Sequence, residues 1–183
     1  MNENLIKNPA PSFGQSIVKA CQSLTDLNGR TRRSEFWWYM IVFYICVNIA
    51  GTILQLGVSD FIGSLIQTLL WGLAFAITVR RLQDGGHSKW WVVVSWISSF
   101  AIDFFVLGTD AWTNFQASPS EETIQALFTQ PGLLIFGAIS AISGLVTFVF
   151  CCMDGTPGPN KYGESPKYKN PDATNNGEST QFV

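Results

Sequence analysis

The chain has 183 residues, of which 47% are hydrophobic and only 13% charged. A soluble domain carries roughly 25% charged residues, so the composition argues against an ordinary soluble fold. The formal net charge of −2 decides little, because in a membrane protein the placement of the positive charges matters more than their sum.

Residues 1–35 hold no continuous apolar core of the length a cleavable signal needs, so the first hydrophobic segment is expected to be retained. Within them, Ser12–Leu24 places Phe13, Ile17, Cys21 and Leu24 on one helical face. Ser12 and Gln15 have capping-box spacing. This segment reads as an interfacial amphipathic helix.

Four segments then follow that are long and apolar enough to cross a bilayer, at about 36–56, 61–79, 90–107 and 132–153. A crossing takes about 20 helical residues. Helices are favoured over strands because each segment must satisfy its own backbone hydrogen bonds in lipid. Ser34 and Ser88 are expected as helix N-caps. Paired tryptophans open the first and third segments, as aromatic residues do at the lipid–water boundary. In the loop 108–131, Ser118, Pro119 and Glu121 read as a cap, a first-turn proline and an acid at N3 of a short helix.

The eleven Lys and Arg residues are distributed with one bias. Lys7, Lys19, Arg30, Arg32 and Arg33 precede the first span. Arg80, Arg81 and Lys89 lie between the second and third, and Lys161, Lys167 and Lys169 follow the fourth. Four spans put all of them on one face, which the positive-inside rule makes cytoplasmic. Both termini are then expected in the cytoplasm. The expected organisation is a segment 1–35 with the interfacial helix, a four-helix transmembrane domain 36–153, and a Gly/Pro-rich segment with a disordered tail over 154–183. The fold class is therefore all-α and polytopic. Cys21, Cys46, Cys151 and Cys152 lack metal spacing and are expected as free thiols.

Three blocks carry a family resemblance: Asn28-Gly-Arg-Thr-Arg-Arg-Ser-Glu-Phe-Trp-Trp38, Val79-Arg-Arg-Leu-Gln-Asp-Gly-Gly-His-Ser-Lys-Trp-Trp91 and Gly155-Thr-Pro-Gly-Pro-Asn-Lys-Tyr-Gly163. In this order they resemble the signatures of the DUF805 family of small bacterial inner-membrane proteins. Leu27 stands where that family commonly has an aromatic residue, and Gln83 where it commonly has His. The resemblance implies residence in the bacterial cytoplasmic membrane and implies no activity.

The chemistry these residues offer is of two kinds. On the expected cytoplasmic face, Arg30, Arg32, Arg33, Arg80 and Arg81 could bind anionic lipid headgroups or a membrane partner, or could simply set topology. Glu35 and Asp84 among them could form salt bridges tying the first segment to the second loop. Asp84 and His87 alone are too few for a metal site. The run Thr156-Pro-Gly-Pro-Asn is expected to fold back over that loop. Inside the membrane, Asp103 on the third span lies roughly 20 Å along the helix from Trp90. Asn48 and Gln67 are expected at similar depth. The three could form an ion or proton site, or merely hydrogen-bond between helices. Gly137, Ser140 and Gly144 form a small-residue stripe suited to close packing.

No nucleophile–base pair, metal cluster or nucleotide loop is present in the sequence, so neither an enzyme nor a cofactor is expected. Nucleic acid is not an expected partner, because the basic residues hug the membrane. The expected function is a non-catalytic membrane component that supports envelope integrity or regulates a partner through its Arg-rich face. The alternative is a small oligomeric transporter or channel with Asp103 on the path.

Overall fold

Helices dominate the chain, as expected where backbone polar groups must be satisfied without water. The computed structural model describes residues 5–169. Most of the tail expected to be disordered, 170–183, lies outside the described residues. The first residues of that tail belong to regular structure instead. Strand β1 (Ile6–Lys7) pairs antiparallel with β2 (Tyr168–Lys169).

Helix α1 (Phe13–Gln22) opens on the expected capping box. Ser12 Oγ accepts from the Gln15 N–H, and the Gln15 side chain accepts from the Ser12 N–H. Its buried residues are the small Ser16 and Ala20, whereas Phe13, Val18 and Cys21 are exposed. Of the expected stripe, Phe13 and Cys21 are exposed, whereas Ile17 is half-buried and Leu24 is half-buried beyond the end of the helix.

Helix α2 (Arg33–Gln55) contains the first span, and α8 (Pro131–Cys152) is the last. Both expose aliphatic side chains, among them Ile45, Ile49 and Ile53 on α2 and Ile135, Ile142 and Leu145 on α8. Outward apolar surface of this extent marks a face that meets lipid or another apolar partner, and the length and hydropathy of both helices suit membrane spans. The chain is an all-α polytopic membrane protein.

The second span is interrupted. Helix α3 (Asp60–Trp71) passes through a 3₁₀ turn at Gly72–Ala74 into α4 (Phe75–Asp84). The apolar stretch Ile62–Asp84 runs five residues beyond the expected end at Val79. Arg80, Arg81 and Asp84 accordingly sit on the last turns of a helix rather than in a connection. Gly86, at φ +77, stops α4. The His87 N–H donates to Leu82 O and the Gly86 N–H to Gln83 O, a Schellman pattern.

The third span keeps its expected bounds to within one residue, but it is short and sharply bent at its end. Helix α5 (Trp90–Val106) is about 25 Å long at 1.5 Å per residue, short of the hydrocarbon core. The chain then bends by 78° into α6 (Asp110–Ala117). Helix α7 (Glu121–Phe128) begins two residues later than the Ser118 cap would put it. Its N-cap is Ser120, with Thr123 completing a capping box, so the hydroxyl at N3 has taken the role assigned to an acid. Ser34 lies inside α2 rather than capping it, and the cap position of α5 is Lys89 rather than Ser88.

The chain falls into two compact units, one drawn from 5–39, 76–88 and 150–169, the other from 40–75 and 89–149. In the second unit, the small residues of α8 meet α5. Ser140 Oγ lies 3.1 Å from Ser99 Oγ, and a Cβ on Gly144 would touch Ser95 Oγ at 3.6 Å. Gly137 approaches only Leu133 of its own helix. Phe43 and Tyr44 of α2 pack edge-on against Trp71 of α3.

Candidate functional site

In the first unit, one carboxylate organises three distant stretches of chain. Asp84 Oδ1 accepts from Arg30 Nε at 2.9 Å, and Asp84 Oδ2 accepts from Arg81 Nη1 at 2.6 Å. The side chains of Arg30 and Arg81 are 1% exposed and that of Asp84 is 5% exposed. An ion group buried so deeply is stable only when every remaining donor finds a partner. Arg30 Nη1 donates to Gly158 O at 2.7 Å and Nη2 to Thr156 O at 2.5 Å. Arg81 Nε donates to Cys151 O at 3.1 Å, Nη1 also to Thr31 O, and Nη2 to Met153 O. Guanidinium suits this role because its planar fork reaches several acceptors without losing its charge.

The Gly/Pro segment does fold back onto the end of α4. Thr156 N donates to Asp84 O at 2.9 Å, and Asn160 Nδ2 donates to Gln83 O at 2.9 Å. Gly155 is needed for this approach, since a Cβ there would stand 1.9 Å from Asp84 Oδ2. Gln83 Nε2 in turn donates to Leu27 O at 3.0 Å.

The remaining arginines divide. Arg32 is buried, and its Nη1 donates to Asn8 O and Pro9 O, tying the N-terminal segment down. Arg80 is buried beside a cavity of about 20 Å³, and its Nε has no hydrogen-bond partner among the described residues. Glu35 pairs with Lys19 of α1 at 2.8 Å. Arg33 is 52% exposed and lies 3.5 Å from Asp154, which Lys167 also approaches at 3.3 Å. That hydrogen bond from Lys167 holds the Asp154 carboxyl below the usual carboxylate range. So of the five arginines read together in the sequence, Arg30 and Arg81 form a buried clasp, Arg32 and Arg80 are buried outside it, and Arg33 faces outward. What the sequence did not show is which atoms Gly155, Thr156 and Asn160 meet, namely those of Asp84 and Gln83. Their signal was the irregular Gly/Pro run itself.

His87 stacks on Phe150 with ring centroids 3.8 Å apart and planes within 6°. Burial, then the Arg81 guanidinium, hold its pKa below the ordinary 6.5. A group whose folded pKa is depressed in this way favours the fold in its neutral form. Its contribution is complete above pH 6.5 and is lost as pH falls below that value toward the folded one. The detergent-solubilised protein is expected to melt at a lower temperature at pH 5.5 than at pH 7.5. His87→Gln is expected to flatten that difference, which a pair of thermal melts would read.

In the second unit, the three intramembrane polar residues do not converge. Asp103 on α5 accepts from Ser64 Oγ at 3.0 Å and from Thr68 Oγ1, both on α3. Asn48 donates to Tyr44 O of its own helix at 2.8 Å. Gln67 packs against Gly51, where an added Cβ would meet its Nε2 at 2.7 Å. Asp103 therefore joins α3 to α5, and neither amide orients it.

Arg30 lies in the first of the three blocks quoted above, Arg81 and Asp84 in the second, and Thr156 and Gly158, which accept from Arg30, in the third. The sequence profile described as protein of unknown function (DUF805) matches residues 24–164. The chain belongs to the DUF805 family. Similar to it is the inner membrane protein YhaH of Escherichia coli strain K12, 26% identical over 156 residues, covering 82% of this chain and 94% of YhaH. The inner membrane protein YhaI of the same strain is 26% identical over 156 residues, covering 84% of this chain and 97% of YhaI. No solved structure matches this DUF805 chain.

Proposed function

We propose that this protein is a non-catalytic component of the bacterial inner membrane that supports the envelope or regulates a membrane partner. It acts through a rigid basic unit on the cytoplasmic side. The observation that carries this reading is the clasp of Arg30, Asp84 and Arg81. It locks the residues before the first span, the end of α4 and the Gly/Pro segment into one body with its donors engaged. Such a body suits binding, because little of it must reorder when a partner docks. Orientation follows from the basic residues before the first span, between the second and third, and after the fourth, with both termini cytoplasmic. Residence in the inner membrane is supported by the relatives YhaH and YhaI.

A second reading, an oligomeric transporter, draws on Asp103, an ionisable residue in a span. Its carboxylate is held by two hydroxyls, which suits a strut between helices better than a site that loads and releases an ion. Proton and ion flux into liposomes carrying the purified protein decides between the two. No flux above protein-free vesicles is expected for the wild type, and the same for Asp103→Asn. Flux that disappears in Asp103→Asn, with the variant folded, would overturn the non-catalytic reading in favour of transport.

A further inference from the structure

Within the first unit lies a cleft of about 210 Å³ whose walls are unusually cationic. Lys7, Arg32, Arg33, Arg81 and Lys167 face it, against the carboxylates of Asp84 and Asp154. Asp84 is already held by Arg30 and Arg81. Lys7 makes no ion pair among the described residues and is exposed. We propose that this cleft binds the phosphate of an anionic lipid headgroup, one phosphodiester at a time.

Three observations carry the assignment. The first is charge: five cations around two engaged carboxylates leave a surplus that an anion would neutralise. The second is the frame. Arg33 and Ser34 form the first turn of α2, where free N–H groups and the helix dipole favour an anion. Ser34 lines the cleft, and its Oγ, shielded from solvent, has no hydrogen-bond partner among the described residues. The third is depth. Arg33 stands three residues before Phe36, where the apolar run of α2 begins, and Asp154 and Gly155 follow one residue beyond the end of α8. Both are span ends, so the cleft lies at the level of lipid phosphates rather than in bulk water.

The proposal rests on the cytoplasmic orientation argued above, because the cytoplasmic leaflet supplies the anionic lipids. The test is native mass spectrometry of the full chain in detergent, titrated with phosphatidylglycerol or with phosphatidylcholine. One phosphatidylglycerol is expected to be retained at least tenfold more tightly than phosphatidylcholine. The combined Lys7→Gln, Arg33→Gln and Lys167→Gln variant is expected to lose that preference, binding roughly a hundredfold more weakly at about fivefold per charge removed. Lys161→Gln, which removes a charge outside the cleft, is expected to bind as wild type. Should the triple variant fail to fold, Ala10→Phe fills the cleft with every charge kept and is expected to release the lipid. Equal retention of both lipids, or unchanged retention in a folded triple variant, would overturn the site. Displacement of the lipid by millimolar inorganic phosphate would overturn the assignment to a lipid in favour of free phosphate. Loss of lipid preference leaves the flux result untouched, and flux through Asp103 leaves lipid retention untouched, so the two readings fail separately.

Discussion

Asp84→Ala is expected to destabilise the protein by about 3–5 kcal/mol, the range seen when one member of a buried ion group is removed. The reason is what it leaves behind. Arg30 and Arg81, each with a side chain 1% exposed, would lose the one carboxylate that both share. Their other donors would still reach backbone carbonyls, but no negative charge would remain to offset two desolvated guanidiniums. Asp84→Asn keeps the shape and one acceptor oxygen, so it is expected to be damaging to a lesser degree. Thermal melts in detergent, read beside trypsin cleavage within 150–169, would measure both effects. A melt of Asp84→Ala within a degree of wild type would show that the clasp does not stabilise the fold.

Gly155→Ala adds one methyl group where it cannot be placed. The new Cβ would stand 1.9 Å from Asp84 Oδ2. A carboxylate at the end of a free side chain would swing away, but this one is held at 2.9 Å by Arg30 and at 2.6 Å by Arg81. Either the backbone of 154–156 retreats, breaking the Thr156 bonds to Asp84 O, or the ion group opens. Overpacking of this kind costs about 1–3 kcal/mol. The cause can be isolated with a double-mutant cycle. In an Asp84→Ala background the methyl group has room, so Gly155→Ala is expected to cost little more. Full additivity of the two losses would place the strain elsewhere.

The spans were legible because lipid imposes a one-dimensional rule. A run of about 20 apolar residues must be helical whatever surrounds it, and α2 and α8 obey it closely. The capping box at Ser12 was legible for the same local reason, as both its partners lie within three residues. Breaks were harder to read. The 3₁₀ turn at Gly72–Ala74 occurs in sequence no more polar than its surroundings, whereas the bend after Val106 falls where the polar residues Thr109 and Asp110 had already ended the expected span. Gly72 stands where a Cβ would meet the Trp96 ring at 3.3 Å, a contact across helices that periodicity cannot show.

The site divides the same way. Composition and charge placement by themselves determined that this is a multi-helix membrane chain with its basic residues gathered into three stretches. They also bracketed Arg30, Arg81, Glu35 and Asp84 as residues that could pair. Only the tertiary structure decided the pairing. Glu35 pairs with Lys19, sixteen residues away, and Asp84 with Arg30, fifty-four away. It also decided that Arg30 and Arg81 are buried while Arg33 faces outward, and that Asn48 and Gln67 leave Asp103 to Ser64 and Thr68. The physical reason is range. Hydrophobic periodicity and helix caps act over one or two turns and are written in neighbouring residues. A buried ion group depends on which carbonyls and charges the packed chain brings within about 3 Å, and packing alone brings them there.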